Sequence, residues 1–262
     1  MKNVLTIAGS DPSGEAGIQA DIKTISAHNC YATSVITALT SQNTIGVKCV
    51  FNVPGNVFDS QLRTVLEDIH PDAIKIGMLG NEEIVEILCR ILNELPARPP
   101  IVLDTIMIST SGHRLLTRNA IRMMCEGLFP LWSLITPNLP EAEYMLEENI
   151  QDMGKSAETL ALQYGCNVLL KGGHSSGHLM TDYLCRKEGD IYTTISYEEQ
   201  RIQSHNLHGT GCTLSSAIAS NLALGKDLQT AVKDAKHYIS KAIQAGSKFS
   251  IGHGNGPLWH FI

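Results

Sequence analysis

Short apolar runs alternate along the chain with segments whose apolar residues recur every three or four positions. Residues 4–8, 34–39, 73–76, 101–103, 134–135 and 167–170 are of the first kind and predict strands buried on both faces. Helical spacing follows most of them. Ile18, Ile22 and Ile25 share one face of a segment starting at Ala16. Residues 57–69 and 82–94 repeat the pattern, as does the stretch from Leu214 to Leu222 with Gly225 as its stop. Ala231, Val232, Ala235, Ile239 and Ile243 mark the inner face of a long helix over 227–244. Pro140 opens a short helix at its favoured first position. Residues 181–184 and 191–195 predict a hairpin around 187–190, while 40–44 and 252–257 read as loop.

Strand–helix alternation without a repeat, a low-complexity segment or a linker predicts one α/β domain over residues 1–262. Its sheet is expected to be mostly parallel, with helices on both faces. Ligands of such sheets sit beyond the carboxyl ends of the strands. Asp11, Gln42, Met78, Asp104, Asn138, Lys171 and the turn Gly209–Cys212 all follow predicted strands or polar runs, so together they predict one site.

Composition narrows the class. The 262 residues are 43% hydrophobic, enough for a sizeable core, and carry a net charge of −6 without a long basic run. That balance argues against nucleic acid or an anionic membrane as partner. No apolar run is long enough to cross a bilayer, and residues 1–5 do not resemble a signal peptide. Seven cysteines, none closely spaced, offer neither a disulfide framework nor a zinc pattern. A reduced, cytoplasmic enzyme is the expectation.

The chemistry is densest at His208-Gly209-Thr210-Gly211-Cys212-Thr213, two glycines opening a predicted helix. The first amides of a helix lack internal partners and point with the positive dipole end, which suits an anion. Cys212 in that field is expected to ionise below the free-thiol value of about 8.5; the simpler reading is a loop with a buried cysteine. Asn138 and Glu141, three apart across a helix start, can face one site and hold a hydrated magnesium ion, although an acid there also suits the dipole alone. Lys171 beside Gly172 and Gly173 is either a surface residue or a phosphate ligand. Gln42 carries the donor and acceptor that suit a heterocycle edge. Met78 is core filler or an apolar ligand wall. Asp21, on the first helix, reads by default as a solvated charge.

The stretches 8–14 (AGSDPSG) and 16–21 (AGIQAD), Thr37-Ala38-Leu39-Thr40 with Gln42-Asn43-Thr44, Lys75-Ile76-Gly77-Met78-Leu79, Thr136-Pro137-Asn138 with Glu141-Ala142, Lys171-Gly172-Gly173-His174 and 208–213 resemble the hydroxymethylpyrimidine/phosphomethylpyrimidine kinase family of thiamine biosynthesis, in order and from about residue 3 onward. The resemblance implies a ribokinase-like three-layer α/β/α sandwich. It implies phosphorylation of an aminopyrimidine alcohol and then of its monophosphate, with ATP and Mg2+. It assigns Gly209, Thr210, Gly211 and Cys212 to the moving phosphoryl group, with Cys212 as base or orienting group. Asp104 and Glu141 would hold the metal, with Asn138 and Lys171 at the nucleotide. Gln42, Asp21, Met78, Ile106 and Gly9 would surround the small-molecule pyrimidine. A homodimer is possible on this scaffold, and a pyridoxal or pyridoxine kinase is the competing reading. The chain departs from the family at Glu15, usually glycine, and at Thr105-Ile106, usually Pro-Val. A charged side chain in a loop that relatives keep bare, and a loosened turn beside Asp104, are the expected consequences.

Overall fold

The computed structural model describes residues 1–107, 117–128, 133–173 and 178–262; His174 of the glycine-pair motif lies outside them. Among the described residues nine strands form one sheet: β1 (Asn3–Ser10), β2 (Tyr31–Asn43), β3 (Gly46–Asn52), β4 (Ala73–Ile76), β5 (Ile101–Leu103), β6 (Leu134–Ile135), β7 (Val168–Leu170), β8 (Leu179–Glu188) and β9 (Ile191–Gln200). Their order is β3-β2-β1-β4-β5-β6-β7-β8-β9. The run from β2 to β7 is parallel, and antiparallel strands flank it on both sides.

Period-two alternation divides each strand between two cores. Leu5, Ile7, Ile74, Ile76, Ile101, Leu103, Ile135, Val168 and Leu170 face one cluster, completed by Phe58 and Leu62 of α2 (Gly55–Asp68), Leu88 of α3 (Glu82–Glu94), Met145 of α5 (Leu139–Leu146) and Leu160 of α6 (Met153–Tyr164). Ala120 and Ile121 of α4 (Arg118–Met123) join that layer. Val4, Ala73, Val102, Leu134 and Leu169 face the other cluster, with Ile25 of α1 (Gly17–Ala27), Ala217 and Ile218 of α7 (Thr210–Ala223) and Val232 and Ile239 of α8 (Leu228–Gly246). The result is the expected α/β/α sandwich. All seven cysteines are free, and no described helix is long and apolar enough to cross a membrane.

Two segments differ from the expectation. Residues 40–43 continue β2 instead of looping, and they pair with β3, an edge strand that periodicity does not reveal. Most of β3 is exposed, so neither face carries an apolar stripe to signal it. Its turn is held from far away. The amides of His253 and Gly254 both donate to Thr44 Oγ1 at 3.1 Å, and the Asn255 amide donates to Thr44 O at 3.1 Å. A Cβ on Gly254 would run into that same carbonyl.

The chain leaves β1 for β2 on one side and returns as β4 on the other, so the strand order reverses at β1. A crevice opens beyond the carboxyl ends of strands at such a point. Main-chain bonds continue the sheet into it: the Gly77 amide donates to Ile7 O, Asp104 to Ile76 O, Thr136 to Leu103 O and Lys171 to Pro137 O, all at 2.8–2.9 Å.

Candidate active site

The crevice is a cavity of about 780 Å3 that collects Gly9, Gln42, Met78, Asp104, Ile106, Asn138, Glu141, Lys171 and the turn Gly209–Cys212. Twelve of the thirteen residues to which the resemblance assigns a role therefore meet in one place, with Asp11 beside them. Asp21 does not. It is completely buried on α1, where its carboxylate takes Lys75 Nζ at 2.8 Å on both oxygens, Thr6 Oγ1 at 2.6 Å and Ser216 Oγ at 2.8 Å. Both readings of Asp21, a solvated charge or a substrate contact, are corrected. Asp21 stands three residues after Ile18 and four before Ile25, so helical spacing puts it on their buried face, where α7 packs against α1.

At the start of α7, Gly209 caps the helix with φ +81° and no side chain closes the turn. A Cβ there would strike the Glu15 carbonyl, so the loop 11–17 is moulded onto a glycine. The Thr210 amide is partly committed to Leu207 O at 3.4 Å, and the Thr213 amide donates to Gly209 O. The Gly211 and Cys212 amides are the ones left to an anion. Gly211 lets Asp104 approach: a Cβ on it would stand 3.0 Å from Asp104 Oδ2 and 3.7 Å from Lys171 Nζ.

Cys212 overturns an expectation. Burial pushes its thiol up to about 11, with Asp21 and Asp104 adding to the rise and Lys75 and the Gly17 amide working against it. Desolvation outweighs the helix-end field, so the free protein holds a neutral thiol at neutral pH.

The acids form a graded set. Asp104 Oδ1 accepts from Lys171 Nζ at 2.9 Å and from Thr136 Oγ1 at 3.2 Å, whereas Oδ2 is buried without a partner. Glu141 is pushed up to about 7 by burial and by Asp104, against the pull of Lys171, the Asn138 amide and Thr105. Asn138 and Glu141 form a reciprocal capping box: Asn138 Oδ1 accepts from the Glu141 amide and Glu141 Oε2 from the Asn138 amide, both at 2.9 Å. The Asn138 oxygen is thus partly committed to the helix start, with its second lone pair and its amide NH2 still facing the cavity residues. Thr105 is not a loosened turn; its hydroxyl donates to Glu141 Oε2 at 2.9 Å. Among the described residues no three acidic, histidine or cysteine side chains converge as a metal cage.

Gln42 Nε2 sits 2.8 Å from His208 Nε2, and burial holds the His208 ring below its usual pKa, so a neutral ring accepts there. Met78 closes on Gly9: a Cβ on that glycine would lie 2.6 Å from the Met78 methyl. Glu15 is fully buried, unlike the loop charge expected. Both carboxylate oxygens lack partners, because the nearby Ser13 hydroxyl donates to Asp11 Oδ1 at 2.6 Å.

Sequence reasoning missed the far end of the cavity. Met180, Ile202, Leu214, Ile239 and Ile243 line it, and Lys236 pairs there with Asp182 at 2.6 Å. Asp182 also accepts from the Gly172 amide at 2.8 Å and so braces the turn that carries Lys171. Ile239 and Ile243 were visible as an inner helix face; that this face borders a cavity depends on tertiary packing.

A sequence profile described as phosphomethylpyrimidine kinase matches residues 11–259. The chain belongs to this family. A hydroxymethylpyrimidine/phosphomethylpyrimidine kinase of Escherichia coli strain K12 is 42% identical over 99% of this chain and 97% of its own length. A solved phosphomethylpyrimidine kinase of Clostridium difficile 630 superposes with a TM-score of 0.79 at 41% identity, covering 93% of this chain and 100% of its own. The pyridoxal kinase of Staphylococcus aureus in complex with pyridoxal gives 0.87 at 32% identity, covering 100% of this chain and 94% of its own. The ribokinase-like fold of these kinases is the sandwich described above, with the cavity at its strand-order reversal.

Proposed function

We propose that this chain transfers the γ-phosphoryl group of ATP to the hydroxymethyl oxygen of 4-amino-5-hydroxymethyl-2-methylpyrimidine, and then to the monophosphate so formed. The observation that carries the reading is the placement of the uncapped α7 amides between two unlike ends of one cavity. The apolar end at Ile202, Leu214, Ile239 and Ile243 suits a nucleotide base. The end lined by Gly9, Gln42, Met78 and Ile106 suits a small flat methylated ring.

Phosphoryl transfer asks for alignment and charge stabilisation more than for covalent help from the protein. The Gly211 and Cys212 amides meet the charge that grows on the moving group; a donor of this kind is worth about 3 kcal/mol of barrier. Lys171, braced by Asp182 through Gly172, reaches the nucleotide phosphates. The Cys212 sulfur, a neutral thiol, orients the attacking hydroxyl. Gln42 offers its amide oxygen to the pyrimidine amino group while His208 holds its nitrogen.

The residues also fit Mg2+. Asp104 Oδ2 is an orphaned buried carboxylate oxygen, and Glu141 beside it is a second acid whose charge burial disfavours until a cation arrives. These two would hold the ion, directly or through water, with nucleotide oxygens completing its shell. Bound there, magnesium would neutralise charge on the nucleotide phosphates.

The test is ADP release with the pyrimidine alcohol, its monophosphate and pyridoxal measured side by side. Turnover of both pyrimidines at a higher kcat/KM than pyridoxal is expected. Pyridoxal as the preferred substrate would transfer the chain to the B6 branch of the same scaffold, which the Staphylococcus aureus likeness makes the alternative.

A further inference from the structure

The buried ion pair of Asp21 and Lys75 has no part in the chemistry assigned so far, yet it lies against the reacting centre. Four elements meet on one carboxylate: Thr6 from β1, Asp21 from α1, Lys75 from β4 and Ser216 from α7. Ser216 is one helical turn beyond Cys212, so the same helix carries the anchor and the sulfur. Lys75 Nζ sits under the turn that follows its strand. The Cβ position of Gly77 would lie 2.8 Å from it and 3.8 Å from Ile106 Cδ1, a wall of the cavity.

An ion pair closed on itself is a dipole, and its orientation decides what it does. Lys75 Nζ lies beneath Gly77 at the cavity wall while Asp21 is tied to Thr6 and Ser216, and of the two charges Lys75 acts more strongly on the Cys212 sulfur. Burial works against the Lys75 charge, but Asp21, with smaller help from Cys212 and Asp104, keeps the ammonium charged. The other groups acting on the sulfur are Asp104 beyond β5, which opposes Lys75, and the Gly17 amide at the head of α1, which supports it. Both side chains are fully buried, so neither water nor salt screens this charge as they would a surface lysine.

We propose that Lys75, held in place by Asp21, is a positioning residue for the phosphoryl transfer, extending the electropositive turn at Gly211–Cys212 from beneath and favouring negative charge on the moving phosphoryl group and at the sulfur. Asp21 takes two of the three ammonium hydrogens, which keeps the cation from swinging up to bind ground-state phosphates as Lys171 can. A charge fixed in this way lowers the barrier without tightening substrate binding. The role rests on the kinase reading above and deepens it.

The decisive variant is the doubly neutral, near-isosteric Lys75→Met/Asp21→Asn protein, since replacing a buried pair together is tolerated far better than breaking it. Expected is a folded enzyme with kcat down about tenfold or more and KM for ATP and for the pyrimidine alcohol within about twofold. Alkylation of Cys212 by iodoacetamide, mapped on its peptide, should slow about tenfold at a fixed pH below the thiol pKa. A purely structural pair would move neither readout, so a folded double variant with unmutated kcat and alkylation rate overturns the proposal. Should that variant not fold, Thr6→Val and Ser216→Ala each strip one donor from Asp21 and strengthen its opposition to Lys75. A fall in kcat of about two- to fivefold at unchanged KM supports the role, and wild-type kcat in both overturns it. Absence of ADP release by the unmutated protein with either pyrimidine or with pyridoxal overturns the kinase reading itself, and is seen before any substitution is made.

Discussion

Two lysine–aspartate pairs stand at neighbouring strand ends and have opposite characters. Asp21 and Lys75 are both fully buried, and every strong acceptor direction of Asp21 is taken by Lys75, Thr6 or Ser216. Asp104 and Lys171 are joined through one oxygen only; Oδ2 of Asp104 has no partner, and Lys171 stays partly exposed at the cavity rim. The first pair is closed and holds four elements together. The second is open, with capacity left over for a cation or a phosphate. Residue type does not separate an ion pair that is fixed in place from one that can still take a ligand. The count of partners left unmet does.

The largest test breaks the closed pair. Lys75→Met alone leaves a carboxylate buried without its cation, and should cost about 3–5 kcal/mol of stability in denaturant unfolding. A loss under 1 kcal/mol would mean that Asp21 is not held as described. The open pair should respond in the other currency. Asp104→Asn should lower kcat on the order of 100-fold or more, while the melting temperature shifts by only a few degrees; a folding defect as large as that of Lys75→Met would erase the distinction.

Glu15 sharpens the comparison because it is buried and unmet, while the cation that acts on it, Lys23, is bonded to Gly14 O instead. Burial and Asp11 push its carboxyl up from 4.5 to about 7. The folded chain therefore keeps this proton to a higher pH than the unfolded chain does. Stability from that proton is complete below about pH 4.5 and is lost as pH rises through 7. Glu15→Gln should remove the loss, raising stability at pH 8 by on the order of 2 kcal/mol and leaving pH 4.5 unchanged. A pH-independent difference between the two proteins would contradict this. Gln42, half committed to His208, gives the smallest effect. Gln42→Leu should raise KM for the pyrimidine about tenfold, equivalent to roughly 1.4 kcal/mol, and leave KM for ATP unmoved; an equal change for both substrates would remove it as a reader of the ring.

The sequence carried the sandwich and most of the site because both follow from local rules. Buried parallel strands are continuous apolar runs, and the residues beyond their ends face a shared crevice wherever strand order reverses. Gly9, Met78, Asp104, Lys171 and Gly211 could be found this way. Asp21 could not. Its spacing puts it on the buried face of α1 with Ile18 and Ile25, but the partners that satisfy a charge there lie on β1, β4 and α7, the last from 195 positions away. The thiol of Cys212 failed for a related reason. The helix-end field is local and legible, whereas the desolvation that outweighs it depends on the packing of α1 and β4. Edge strand β3 was hidden because it has no apolar stripe, and the apolar end of the cavity because the helix face at Ile239 and Ile243 meets open space only through tertiary packing.

The clasp between Thr44 and the loop at 253–255 joins residues 209 to 211 positions apart. Contacts that close so long a stretch of chain are made late, after the sheet between them has given the closure somewhere to land. The roof over the small-molecule end is therefore expected to be the last part of the catalytic chamber to assemble and the first to breathe. Amide exchange at Asn255 should run ahead of exchange in β1 and β4, whose strands form the floor of that chamber.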